Sequence, residues 1–227
     1  LPCSPDKILR GAEYLMPHLR SAAHRHQEED YPCAQVALTA GAWLKENREN
    51  QPFFLHVEFF DPHEPFDPPR RYVDMYDRGY EGEEVIFPRY EPWADFMTER
   101  ELQHTRALYA GKVTMLDTWF NYLLEKLDVL GLADDTLVIF VSDHGYYLGE
   151  RGWIGKTRAI EYSGYQLPLY EQLAHVPCVV RLPGAAAARV DPLVEMADIA
   201  PSILDICGID PVPTHQGRSF RRLLQGD

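Results

Sequence analysis

With 227 residues, 45% of them apolar and 12% aromatic, the chain can bury one sizeable core, and it has no unbroken apolar run long enough for a helical membrane span. Its 22 basic and 35 acidic residues give a formal net charge of −13, which argues against non-specific nucleic-acid binding and offers anions no general attraction. Any anion-processing site therefore needs its own cation or metal.

Cys3, Cys33, Cys178 and Cys207 are far apart, form no C-x-x-C pair and set no redox compartment. The apolar neighbours of Cys178 and Cys207 predict buried thiols. No basic-then-apolar leader is visible in the residues from Leu1-Pro2-Cys3 onward, and neither compartment nor oligomeric state is readable.

Residues 1–30 are polar and irregular; His18, His24 and His26 stand among Arg and Glu and read as solvated, not as a metal site. Residues 33–50 follow a helical pattern, with Val36, Ala37, Ala40, Trp43 and Leu44 on one face. Residues 52–60 read as a buried strand, followed at once by Asp61-Pro62-His63-Glu64-Pro65. Residues 67–97 lack periodicity and predict a long loop, of the kind that lines or covers a site. Its Tyr72, Tyr76, Tyr80, Tyr90 and Trp93 suit either stacking on a sugar or aryl group or internal packing.

Tyr109, Val113, Leu116, Phe120, Leu123 and Leu127 alternate steps of four and three residues, which predicts one helical face, ended by Gly131. A turn at Asp134-Asp135 leads into Thr136-Leu137-Val138-Ile139-Phe140-Val141, a run typical of strands buried on both faces. Val176-Pro177-Cys178-Val179-Val180 predicts a second such strand, and residues 193–207 a last amphipathic helix before Gly208. The fold class expected is α/β, a sandwich with a mostly parallel buried sheet flanked by helices.

In such sheets ligands bind beyond the carboxyl ends of the strands. One predicted strand there delivers Ser142-Asp143-His144-Gly145 and the other Asp61-Pro62-His63. Asp143 and His144 offer oxygen and nitrogen donors suited to a divalent metal, or else a turn cap and a backbone-bonded imidazole. Gly145, Gly149, Gly152 and Gly155 then lead to Lys156, whose ammonium suits the oxygens of a sulfate or phosphate, unless it is simply solvated.

The order of these pieces resembles the sulfatase family of the alkaline-phosphatase-like superfamily. The resemblance rests on Ser142-Asp143-His144-Gly145, the glycine-rich loop to Lys156, Leu169-Tyr170-Glu171, His175-Val176-Pro177 and Leu182-Pro183-Gly184. It extends to Gln51-Pro52-Phe53-Phe54-Leu55 with Asp61 to Phe66, the helix around Asp117 with Asp135-Thr136-Leu137, Asp198 to Leu204, and Gly217-Arg218-Ser219-Phe220. It implies that Asp143 and His144 are two metal ligands and that Lys156 binds the ester's non-bridging oxygens. His63 would lie near the leaving-group oxygen, donating a proton or holding the sulfate. The implied cofactor is a divalent metal, calcium first, with manganese or magnesium as alternatives; the imidazole of His144 leans toward a transition metal. The implied substrate is a small-molecule or carbohydrate sulfate ester, with no nucleic acid and no membrane as partner.

The family's nucleophile, a cysteine in C-x-P-S-R converted to formylglycine, is not matched. Cys3-Ser4-Pro5 begins like it, but Asp6-Lys7 follows, and no strand bearing an acidic pair precedes it. Residues 1–227 are therefore expected to be a partial catalytic domain, lacking the nucleophile segment and the small C-terminal domain, and inactive alone; formylglycine is expected only outside this chain. Two alternatives stand beside a sulfatase: a phosphonate monoester or phosphodiester hydrolase of the same superfamily, and a non-catalytic degenerate paralogue acting as a binding module.

Overall fold

A computed structural model of the chain describes residues 1–158, 165–166 and 169–226. In chain order its elements are helices α1 (Ala12–Ala22), α2 (Pro32–Glu46), α3 (Arg70–Val73) and α4 (Glu99–Val129), strands β1 (Val138–Val141), β2 (Tyr147–Leu148), β3 (Ile154–Gly155), β4 (Thr157–Arg158) and β5 (Tyr165–Gln166), helix α5 (Glu171–Ala174), strand β6 (Cys178–Arg181), and helices α6 (Ile199–Ile206) and α7 (Arg221–Leu224). They fall into two compact units, Leu1–Leu132 with His144–His175, and Ala133–Asp143 with Val176–Asp227. No helix among the described residues is long and apolar enough to cross a membrane.

The first unit is organised by α4. Thr98 caps it: the Thr98 hydroxyl accepts the Glu101 N–H at 3.2 Å, and the Glu101 carboxylate accepts the Thr98 N–H at 2.8 Å. At the other end Gly131, at φ +69°, lets the N–H groups of Gly131 and Leu132 return to the carbonyls of Asp128 and Leu127. The inner face buries Leu102, Leu108, Met115, Leu116, Leu123 and Leu127, each contributing about 1.5–3 kcal/mol of transfer free energy. Val113 points outward instead of sharing that face. The small residues Ala34, Ala37, Ala40 and Gly41 on the buried side of α2 let the two helices pack closely.

Residues 67–97 are largely irregular, as the missing periodicity predicts, but they are closely packed. They include α3, and Val85, Ile86, Phe87, Tyr90, Phe96 and Met97 join Leu15, Phe66 and Leu108 in the largest core cluster. Irregular backbone gives no periodicity, so its apolar residues carry no sequence signal of their burial. Tyr72, Tyr80 and Tyr90 are buried packing residues, while Tyr76 is exposed and Trp93 packs partly against the core.

Residues 53–60 are extended and alternate inward and outward, but pair with no strand among the described residues. Val57 and Phe59 pack inward, whereas Phe54 and Phe60 stay 73% and 64% exposed. The buried strand that the apolar run predicted is therefore packed on one face only.

In the second unit β1 and β6 pair antiparallel, Val138 opposite Arg181 and Val141 opposite Cys178. The described strands form three two-stranded antiparallel pairs, where a mostly parallel sheet was expected. A β-branched run reports burial, not partner direction, and here all four residues of β1 are only half-buried. The class is α/β. Cys178 and Cys207 are exposed, where buried thiols were expected, because apolar neighbours in sequence do not say which side a residue faces; Cys3 and Cys33 are buried. The last long helix begins at Ile199, leaving Leu193 fully in solvent. The buried Ser202 hydroxyl donates to the Asp198 carbonyl at 2.6 Å and accepts the Phe220 N–H at 2.9 Å, tying α6 to the segment after Gly217.

Candidate active site

Two irregular segments of the first unit meet. One is the turn after the extended segment, where cis Asp61–Pro62 and Glu64–Pro65 bracket His63. The His63 N–H donates to the Phe60 carbonyl at 3.0 Å, and the Phe60 ring stacks on the imidazole at 4.2 Å. Nδ1 of His63 lies 2.7 Å from the Glu64 carbonyl oxygen. A carbonyl only accepts, so Nδ1 carries the proton.

The other segment is the glycine-rich arm from His144 to Lys156. It starts where Gly145 donates its N–H to the Leu173 carbonyl at 2.8 Å. A Cβ at Gly145 would fall 2.0 Å from the Gln172 carbonyl oxygen, so only glycine permits this approach. Nδ1 of His144 lies 2.8 Å from the Gly145 carbonyl oxygen, which directs its proton there in the same way. The pair β2–β3 turns the arm back, and Gly155, at φ +105° with its Cα against the Tyr90 ring, delivers Lys156.

Nζ of Lys156 lies 2.7 Å from Nε2 of His63 and 3.5 Å from Nε2 of His144. With Nδ1 protonated, Nε2 of His63 presents its lone pair and accepts from the ammonium. No carboxylate of the same unit, among the described residues, forms an ion pair with Lys156. An ammonium held between two imidazoles is the kind of group that can receive an oxyanion.

Beneath His63 the carboxylate of Glu64 is 2% exposed and accepts from the Tyr90 hydroxyl. Burial first, then the negative charge of Glu64, holds the Tyr146 phenol well above its usual range. His63, His144 and Lys156 are thus brought together, while Asp143 ends β1's segment in the other unit. Among the described residues no group of three or more His, Cys, Asp or Glu side chains could hold a metal ion. The Gly145 carbonyl fixes Nδ1 of His144, which leaves Nε2 as the nitrogen nearer Lys156.

Cys3 sits in the core, its thiol pushed up to about 11 by burial, then by Glu83, which is the opposite of an activated nucleophile. His24 and His26 are exposed as expected, but His18 is pinned to Asp67 at 2.6 Å. Lys112 is not singled out by the sequence reading, which names Glu64 and Tyr90 but not their bond to each other. For Lys112 a signal existed: it lies four residues from both Leu108 and Leu116, on an otherwise apolar face.

A sequence profile of the Sulfatase family matches residues 14–209. The chain belongs to the sulfatase family. This sulfatase chain is 28% identical over 221 residues to an arylsulfatase of Clostridium perfringens, covering 88% of the chain and 43% of that protein. It is 32% identical over 224 residues to an endo-4-O-sulfatase of Bacteroides thetaiotaomicron, covering 93% and 41%. Among solved structures it is similar to a phosphonate monoester hydrolase of Agrobacterium radiobacter, with a TM-score of 0.71 at 25% identity, covering 88% of the chain and 43% of that structure. The chain spans less than half the length of these relatives.

Proposed function

We propose that these residues form part of the active site of a sulfate ester hydrolase. The observation that carries this reading is Lys156 Nζ held 2.7 Å from His63 Nε2, with no ion pair to a carboxylate among the described residues of its unit. The ammonium would bind the non-bridging oxygens of the ester. His63 would hold the sulfate, or pass a proton between Nε2 and the leaving oxygen, since that nitrogen faces the cation that binds the anion. Asp143 and His144 would be two donors to a divalent metal, calcium first, with manganese or magnesium as alternatives; when bound, such an ion neutralises charge on the sulfate group.

Among the described residues neither an activated nucleophile nor a full donor set is offered. The proposal therefore treats 1–227 as part of a catalytic domain whose remaining groups, formylglycine among them, lie in the further length that the relatives possess. The substrate class proposed is a small-molecule or carbohydrate sulfate ester, in keeping with relatives named arylsulfatase and endo-4-O-sulfatase. The mostly parallel sheet of the superfamily is likewise proposed for the whole protein, where residues 53–60 would gain strand neighbours.

A second reading, phosphonate monoester or phosphodiester hydrolysis, is favoured by the similarity to the Agrobacterium enzyme. The test offers an aryl sulfate, a sulfated sugar, a phosphonate monoester and a phosphodiester to the chain alone and to the longest protein containing it. The expected result is sulfate-ester turnover by the longer protein and none by the chain. Preference for the phosphonate ester would establish the second reading, and no turnover of any ester would sink both.

A further inference from the structure

Lys112, in the middle of α4, has a side chain only 7% exposed, an expensive place for an ammonium unless it is fully partnered. Its Nζ donates to the carbonyls of His63 and Pro65, at 3.0 Å each, and pairs with Asp61 Oδ1 at 2.8 Å. These three contacts use the three donors of an ammonium. Asp67 Oδ1 stands farther off at 3.7 Å.

The carbonyl between those two behaves differently. Glu64 C=O accepts from Nδ1 of His63 at 2.7 Å, while its neighbours on both sides are held by Lys112. Fixing the carbonyls of residues 63 and 65 fixes the 63–64 and 65–66 peptide planes, on either side of the 64–65 peptide, and so restrains the direction of the Glu64 carbonyl that the imidazole uses. Glu64 Oε2 is 3.3 Å from the same nitrogen, beyond the ordinary N–H···O range, and is the weaker acceptor.

We infer that Lys112 is a positioning residue that locks His63 in its Nδ1–H tautomer, with Nε2 turned toward Lys156. The inference rests on the reading of His63 as a site residue, but its test needs no turnover, so the two can fail separately. Asp61 and Lys112 also neutralise one another, and removing the lysine alone strands a buried carboxylate. A Lys112→Met/Asp61→Asn pair removes both charges together and serves if Lys112→Met alone does not fold.

The experiment labels the histidines of the 227-residue chain with nitrogen-15, assigns His63 by its loss in His63→Gln, and reads both ring nitrogens in alkaline buffer. The chain should show one proton-bearing nitrogen, Nδ1, and one bare nitrogen, Nε2. In the folded variant the two signals should shift toward each other as the tautomers mix. A folded variant that keeps the single Nδ1–H signature overturns the inference, as does a mixed tautomer in the unaltered chain.

Discussion

Nζ of Lys156 and Nε2 of His63 stand 2.7 Å apart although 93 positions separate them in sequence. The turn is irregular and the arm holds only the short strands β2 and β3, so their meeting depends on what anchors each. Lys112 anchors the turn, Tyr90 spans both by bonding Glu64 and backing Gly155, and the Gly145–Leu173 bond anchors the start of the arm.

An anion should enter between the two groups. Inorganic sulfate added to the chain is expected to shift the ring nitrogen signals of His63, and Lys156→Met to weaken that binding about tenfold to 100-fold, the worth of a charge-assisted hydrogen bond. Equal affinity in the two proteins would remove Lys156 from the receptor.

Gly155 is the point where the arm leans on Tyr90. An alanine there would adopt φ +105° and place its Cβ 2.4 Å from the ring. Gly155→Ala should cost roughly 1–3 kcal/mol in urea unfolding and weaken sulfate binding as well, because Lys156 is the next residue. A variant as stable as the parent would show that the arm shifts freely on Tyr90.

The core of α4 makes a simpler demand. Met115 is fully buried between α2 and α3, in contact with the cluster of Cys33, Tyr72 and Leu116. Met115→Ala is expected to lose about 2–5 kcal/mol by denaturant unfolding, and a loss below this range would mean that the cluster collapses around the gap.

How much of this was legible in the sequence follows from which features are periodic. The four-three spacing of α4 and its closing glycine were readable because a regular helix repeats its buried face. The turn at His63 and the arm to Lys156 were readable as chemistry, from residue types in order. Their convergence was not, because the contacts that produce it run through irregular backbone: the carbonyls of His63 and Pro65 and the Tyr90 ring leave no pattern. Strand direction was lost for a related reason. The apolar run of β1 is the same whichever way β6 pairs with it.

The last prediction concerns pH and the turn that carries His63. Asp67 accepts from His18 at 2.6 Å and Arg25 at 2.7 Å, and Lys112 lies 3.7 Å away. Burial works to raise its pKa, but the His18 hydrogen bond and the charges of Lys112 and Arg25 prevail and hold it below the ordinary 3.8. A carboxyl depressed on folding contributes stability that is fully present above its unfolded value and is lost as pH falls through the folded one. Asp67→Asn should therefore be less stable than the parent at neutral pH, with the gap closing in the acid range below 3.8 as the parent's carboxylate takes up its proton. Urea unfolding of both proteins across that range measures it. A gap of constant size from neutral to strongly acidic buffer would mean that Asp67 acts through shape and hydrogen bonding, with no contribution from its charge.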